Sequence, residues 1–165
     1  MVKMDKNEGK RLIKEDGCFS GLDELIVGIE GTISKDEKAI YTARTIEEAY
    51  NPKNVGALKN HDGLAILTGP CGDTMQIQIK IEGDIITDSK FITDGCGASI
   101  ACGSILTELV KGKTIGEAFK VEEKDVLSVL GGLPPDNLHC PVLAVNTLRA
   151  ALDDYRSKVE QEQRR

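Results

Sequence analysis

The fold is decided by the stretch Met75-Gln-Ile-Gln-Ile-Lys-Ile81, along which apolar and polar residues alternate strictly. Successive side chains of a strand point to opposite faces, so this alternation predicts a half-buried β-strand. Glu82-Gly-Asp84 follows as a turn, and residues 85–93 return as a second strand. The two strands therefore form an antiparallel hairpin.

The sequence on either side of the hairpin predicts one more strand and several helices. A short apolar run at residues 64–67 indicates the third strand. After residue 96 the apolar period becomes helical, with Lys111-Gly112 ending the first helix and shorter helices at 116–119 and 122–130. The last helix has apolar residues at spacings of three and four, namely Val145, Leu148, Leu152, Tyr155 and Val159. This order predicts an α+β fold, in which helices cover one face of a small antiparallel three-stranded sheet and the C-terminal helix is long.

The chain before the sheet predicts a single helix after an N-terminal extension. Ser34-Lys-Asp-Glu37 is typical of a capping box, and apolar residues at helical spacing continue from Ala39 to Tyr50. Asn51-Pro52 ends this helix, because proline disfavours helical backbone at the residue before it. Glycines at positions 17, 21, 28 and 31 argue against any long helix in residues 1–33.

Composition and charge exclude several classes of protein. The 165 residues carry a net charge of −6 and only 4% aromatic residues, which argues against nucleic-acid binding. The N-terminus resembles neither a signal peptide nor a transit peptide, and no apolar run approaches membrane-spanning length. We therefore expect a cytoplasmic protein with no membrane partner. In that compartment its five cysteines are more typical of metal ligands or reactive thiols than of disulfides.

Three cysteines lie at joints between predicted elements, each near glycine or proline. Cys71 precedes a strand, Cys96 follows the hairpin and opens a helix, and Cys140 opens the last helix. Asp73 and His139 lie beside them, and thiolates with such neighbours form sites for iron–sulfur clusters or for Zn²⁺. Cys96 and Cys140 both lie at predicted helix N-termini, which favour a thiolate, and His139 adds to the predicted lowering of the Cys140 pKa. The sequence does not distinguish the two metals.

The remaining cysteines and the second histidine have simpler interpretations. Cys102 lies four residues after Ala98 on the apolar face of its helix, so we predict a core residue. Cys18 lies in the N-terminal extension and is interpreted as incidental. His61 is interpreted as a polar loop residue without a functional role.

Four motifs in a fixed order identify a family. They are Asn51-Pro52-Lys53-Asn54-Val55-Gly56, Cys71-Gly72-Asp73, Gly95-Cys96-Gly97, and Leu133-Pro134-Pro135 followed by Leu138-His139-Cys140, accompanied by Thr107-Glu108 and Lys111-Gly112-Lys113-Thr114. With these motifs the chain resembles the iron–sulfur cluster assembly scaffolds of the IscU type and the N-terminal domain of NifU-like proteins. The resemblance runs from about Tyr41 to Tyr155 and implies a SufE/NifU-like fold.

The resemblance implies a scaffold and not a turnover enzyme. A labile 2Fe-2S cluster would be assembled on it de novo and passed to apo-proteins or carrier proteins. A cysteine desulfurase would supply the sulfur, and Cys140 would accept it. The cluster ligands would be Cys71, Cys96 and Cys140, with Asp73 or His139 completing the set. A mixed ligand set of this kind suits a cluster that must leave.

The chain departs from the family pattern immediately before and after the His-Cys pair. Asp136-Asn137 stands where the family usually has Val-Lys, which puts in doubt an Hsp70-type chaperone as partner. Pro141 replaces the usual serine after Cys140 and removes a backbone donor near the site.

Two other functions, and the division of the chain, remain open at this point. Zn²⁺ could orient Cys140 in a zinc-containing sulfurtransferase that accepts and relays persulfide sulfur, or a degenerate family member could act as an interaction adaptor. We divide the chain into an extension at 1–40, a scaffold domain at 41–160 and a frayed tail at 161–165. The heptad-like spacing of the last helix would also allow a homo-oligomer.

Overall fold

The computed structural model describes residues 35–165, which form a three-stranded sheet and six α-helices. The strands are β1 (Gly63–Thr68), β2 (Thr74–Glu82) and β3 (Ile85–Thr93). The helices are α1 (Lys35–Ile40), α2 (Ala43–Tyr50), α3 (Gly97–Val110), α4 (Ile115–Phe119), α5 (Glu123–Leu130) and α6 (His139–Gln163), and a short 3-10 helix at Pro135–Asn137 precedes α6. The predicted α+β class with a long C-terminal helix is confirmed.

The sheet is antiparallel throughout and has the order β1-β2-β3. Gly63 lies opposite Ile79 in the first pairing, and Met75 lies opposite Thr93 in the second. The β2–β3 turn places Gly83 at a φ of 64°, in the left-handed region that favours glycine. Both the predicted hairpin and the predicted third strand are therefore present.

The apolar face of the sheet packs against α3 and α6, and this interface forms the core. Met75, Ile77 and Ile79 of β2 are completely buried, as are Leu148 and Leu152 of α6. Helix α6 contacts β1 and β2, whereas α3 contacts β3. Burying one such side chain stabilises the fold by about 1.5–3 kcal/mol. The packing of the sheet against α3 and α6 therefore holds both helices, and with them their N-terminal ends, in fixed positions.

Helix α3 is buried on several sides, although its spacing predicted a single apolar face. Besides its apolar residues, small and polar side chains such as Ser99, Gly103 and Thr107 are buried. The reason is that α3 contacts α2, α5 and α6 as well as β3. A Cβ atom on Gly103 would lie 2.4 Å from the ring of Phe91, so glycine is what permits this close approach of helix and sheet.

The single helix predicted between Ala39 and Tyr50 is wrong, because the structure divides it into α1 and α2. Thr42 is the N-cap of α2 and accepts a hydrogen bond from the Thr45 amide at 3.1 Å. Its hydroxyl also donates to the Leu130 carbonyl oxygen, 88 residues away in sequence. This distant partner stabilises the break in the helix. Ser34 of the predicted capping box lies outside the described residues.

Glu48 is an acidic residue of α2 that the structure buries, with 1% of its side chain exposed. Its carboxylate lies 2.9 Å from an Arg44 nitrogen and 3.3 Å from Lys53 Nζ, and it accepts a hydrogen bond from the Ser104 hydroxyl. A buried carboxylate requires such partners to compensate for its lost hydration. Through Glu48, these contacts connect α2 and the loop that follows it to α3.

Candidate functional site

The site lies where three joints of the fold meet. Cys71 and Asp73 lie in the β1–β2 connection, Cys96 is the N-cap of α3, and His139 and Cys140 are the first two residues of α6. Because β2 pairs with both neighbouring strands, the β1–β2 connection lies beside the end of β3.

Backbone contacts fix the first two of these joints. The Gly69 amide donates to the Asp73 carbonyl oxygen at 2.8 Å, and Gly72, at a φ of 87°, closes the turn. The Thr74 amide donates to the Asp94 carboxylate at 2.6 Å, which ties the start of β2 to the residues that follow β3. Cys71 is thereby held near the start of α3.

Three of the predicted ligands form a compact group. One ligand atom from each of Cys71, Asp73 and His139 lies within 4.8 Å of the other two. Cys71 is exposed, and the other two side chains are partly buried. A thiolate, a carboxylate and an imidazole at this separation could bind one metal ion together.

Ser99 connects this group to the other two predicted ligands. Its Oγ lies 3.2 Å from Asp73 Oδ2, 3.3 Å from Cys140 Sγ and 3.9 Å from Cys96 Sγ. His139 Nε2 lies 3.7 Å from Cys140 Sγ. The structure thus gathers all five residues that the sequence singled out, although they come from three separate segments.

Cys96 and Cys140 form a hydrogen-bonded pair in which Cys96 carries the negative charge. The Cys140 hydrogen bond and the amides of Ser99 and Ala98 outweigh burial and lower the pKa of Cys96 to about 5. The pKa of Cys140 is raised, first by its hydrogen bond to the Cys96 sulfur and then by burial, and its side chain is 0% exposed. The predicted lowering of the Cys140 pKa is therefore wrong, because the more exposed cysteine at the α3 N-terminus takes the charge.

Alkylation with iodoacetamide should modify Cys96 first, at a rate nearly independent of pH between about pH 6 and 8. With a pKa of about 5 the Cys96 thiol is already ionised across this range. An ordinary thiol, with a pKa of about 8.5, would react roughly tenfold faster for each pH unit. Peptide mass spectrometry over time measures each cysteine separately. A Cys96 rate that rises tenfold per unit would contradict the assignment, and the buried Cys102 serves as the internal unreactive control.

Three residues of the site escaped the sequence analysis as functional residues. Ser99 lies at its centre, Asn137 Nδ2 donates to Cys96 Sγ at 3.8 Å, and the Tyr41 hydroxyl donates to Asn137 Oδ1 at 2.9 Å. Burial and the nearby cysteines raise the pKa of Tyr41. The spacing of Ser99, three residues after Cys96 at a helix start, was the available signal for one of them.

The remaining cysteines and the second histidine lie away from the five candidate ligands or outside the described residues. Cys102 is completely buried in the core, as predicted, and burial raises the pKa of its thiol. His61 is exposed in the loop before β1. Cys18 lies outside the described residues.

Known proteins with similar sequences are named as iron–sulfur cluster assembly proteins. The "Iron sulfur cluster assembly protein 1" of Trachipleistophora hominis is 44% identical over 122 residues, which cover 72% of this chain and 88% of that protein. The "Iron-sulfur cluster assembly scaffold protein IscU" of Aquifex aeolicus is 44% identical over 121 residues, which cover 72% of this chain and 77% of that protein.

Structural comparison adds a relative for the fold alone. The N-terminal part of a nitrogen-fixing NifU-like protein from Brucella abortus superposes with a TM-score of 0.59 at 20% identity, covering 76% of this chain and 99% of that one. The family described as "NifU-like N terminal domain" matches residues 40–162, which include the whole site. With sequence relatives above 40% identity and a family match over most of its length, the chain belongs to the NifU-like N-terminal domain family.

Proposed function

We propose that this protein is a scaffold on which an iron–sulfur cluster is assembled and then passed to other proteins. The observation that carries the proposal is that Cys71, Asp73, Cys96, His139 and Cys140 converge in one partly exposed site. The protein acts as a scaffold and not as a turnover enzyme, in line with the names of its relatives.

The cargo we propose is a labile 2Fe-2S cluster. Its ligands are the thiolates of Cys71, Cys96 and Cys140, with Asp73 or His139 as the fourth. The compact group of Cys71, Asp73 and His139 supports either choice, because Asp73 and His139 each have a ligand atom within 4.8 Å of the Cys71 sulfur. A carboxylate or a single imidazole holds iron less tenaciously than a fourth thiolate, so the cluster can be released.

Cys140 is proposed as the sulfur acceptor and a cysteine desulfurase as the donor. In the persulfide transfer, the Cys140 thiolate attacks the outer sulfur of the donor persulfide and the donor thiolate leaves. Leu138 and Val142 flank the His139-Cys140 pair and are 45% and 41% exposed, which supports a protein partner at this end of α6. Apo iron–sulfur proteins or carrier proteins would receive the cluster.

The chaperone, the location and the domain limits also belong to the proposal. Asn137 contacts Cys96 where the family usually has lysine, which supports the doubt about an Hsp70-type chaperone. Within the described part of the chain, no helix combines the length and apolarity needed to cross a membrane. We keep a cytoplasmic location, a scaffold domain at 41–160 between the extension at 1–40 and the tail at 161–165, and a possible homo-oligomer as proposals.

Zn²⁺ is proposed as a competing occupant of the same residues, because three or four thiolate, imidazole and carboxylate ligands suit it equally well. The zinc sulfurtransferase is less well supported than the scaffold, since the relatives are named as cluster assembly proteins. The adaptor is less well supported as well, because no predicted ligand is missing from the site.

Anaerobic reconstitution with ferrous iron and sulfide should yield a coloured protein containing iron and acid-labile sulfide in about equal amounts. Visible absorption and metal analysis measure the product. The Cys102→Ser variant, altered only in the core, should reconstitute like the wild type, whereas Cys96→Ser should not. Stoichiometric zinc that iron does not replace would favour the sulfurtransferase, and the absence of any bound metal would favour the adaptor.

A further inference from the structure

Ser99 is a buried polar residue to which the proposed scaffold function assigns no role. It is 0% exposed and lies in the first turn of α3, three residues after Cys96. Its hydroxyl is within hydrogen-bond distance of two different candidate ligands, Asp73 and Cys140. A buried hydroxyl requires hydrogen-bond partners, and both of these partners belong to the site.

We propose that Ser99 is a positioning residue that holds Asp73 and Cys140 in place for metal binding. The proposal rests on the proposed function of the site. A serine hydroxyl has one proton to donate and two lone pairs that accept. Because the Cys140 thiol donates to the Cys96 sulfur, the Ser99 hydroxyl shares its one proton between Asp73 Oδ2 and Cys140 Sγ, which both accept. One side chain thereby fixes the relative positions of a ligand from the β1–β2 connection and a ligand from α6.

The contact also selects which carboxylate oxygen is available. Asp73 Oδ2 lies 3.2 Å from the Ser99 hydroxyl, so Oδ1 is the oxygen left for a metal ion. A carboxylate anchored through one oxygen would bind a metal ion through the other. Contacts of this kind orient metal ligands and typically change metal affinity about 10- to 100-fold when they are removed.

Packing around Gly95 shows how closely this arrangement is enclosed. A Cβ atom on Gly95 would lie 2.6 Å from Ser99 Cβ and 2.8 Å from Asp73 Oδ2. Both distances are shorter than a Cβ atom can approach another heavy atom, so any larger residue at position 95 must displace Ser99 or Asp73. The Gly95-Cys96 sequence is therefore required by the serine–aspartate contact as well as by the joint between β3 and α3.

Co²⁺ is a suitable probe, because its bands report thiolate ligation directly and no cluster has to be assembled. Ser99→Ala should weaken Co²⁺ binding about tenfold, since the ligands lose a shared anchor. Its sulfur-to-cobalt charge-transfer band should move to lower energy, because a metal-bound sulfur without a hydrogen-bond donor gives up its electrons more easily. The affinity and the band position are both read from one absorption titration.

Two further variants make the test specific. Ser104→Ala removes an equally buried hydroxyl from the same helix, but that hydroxyl contacts Glu48, so affinity and band should match the wild type. Gly95→Ala keeps the Ser99 hydroxyl but must displace Ser99 or Asp73, which breaks the same contact, so it should reproduce the Ser99→Ala defect even where Ser99→Ala itself folds poorly. Circular dichroism of each metal-free variant verifies folding.

The outcomes separate this inference from the function on which it rests. Wild-type affinity and an unshifted band in both Ser99→Ala and Gly95→Ala would overturn the role of Ser99. An equal loss in Ser104→Ala would also overturn it, because the defect would then reflect the loss of any buried hydroxyl. A wild-type protein that binds neither Co²⁺ nor iron and sulfide would instead contradict the scaffold function.

Discussion

Cys140→Ser is expected to abolish persulfide formation on this protein when a cysteine desulfurase and free cysteine are supplied. A serine hydroxyl is not ionised at neutral pH and cannot attack the donor persulfide. Cys140 is completely buried and its pKa is raised, first by its hydrogen bond to the Cys96 sulfur, so acceptance also requires that its sulfur become accessible and lose its proton to the surroundings. Gel-shift labelling of persulfides, followed by peptide mass spectrometry, measures the product.

The other cysteines provide the controls for this experiment. Cys102→Ser should leave labelling unchanged, since Cys102 is buried in the core. Cys96→Ser should not abolish labelling, because Cys140 keeps its thiol. Undiminished labelling of Cys140→Ser, with the extra sulfur on the exposed Cys96 thiolate, would remove Cys140 as acceptor and assign that role to Cys96.

Asp73→Ala is expected to lengthen the lifetime of a reconstituted cluster at least about tenfold, the scale on which changes around a metal alter its binding. The Asp73 carboxylate lies in the same group as Cys71 and His139 and is the hardest of the candidate ligands. Its removal eliminates the weakly held oxygen through which a cluster can exchange. The decay of visible absorption in the presence of a chelator measures the lifetime.

Asp136→Ala is the matched control, because Asp136 is an exposed acid in the 3-10 helix next to the site. It removes the same charge without removing a candidate ligand, so the lifetime should stay at the wild-type value. Faster decay in Asp73→Ala would contradict the proposed role, and an equal gain in both variants would indicate a general effect of charge.

The sheet and most helices were predictable from local sequence. Strict alternation at residues 75–81 allows only one strand face to be apolar, and Gly83 permits the tight turn that returns β3. The break between α1 and α2 was not predictable, because Thr42 is stabilised by the carbonyl of Leu130, 88 residues away. The burial of Glu48 was missed for the same reason, since Ser104 comes from another helix.

The candidate ligands and the lowered pKa of Cys96 could be predicted from sequence, but the raised pKa of Cys140 could not. Cys71, Cys96 and Cys140 stood out because no helical or strand period requires them. Their charges depend on mutual contact. The Cys140 hydrogen bond and the α3 amides lower the pKa of Cys96, whereas the same hydrogen bond and burial raise the pKa of Cys140.

The sequence by itself determined the α+β class, the hairpin and the five candidate ligands, because alternation, helical period and residue type are properties of neighbouring positions. Only the tertiary structure decided that Ser99 joins Asp73 to Cys140 and that Asn137 contacts Cys96. Hydrogen bonds and pKa shifts depend on distances between atoms that folding brings together from remote segments. No pattern within a single segment contains those distances.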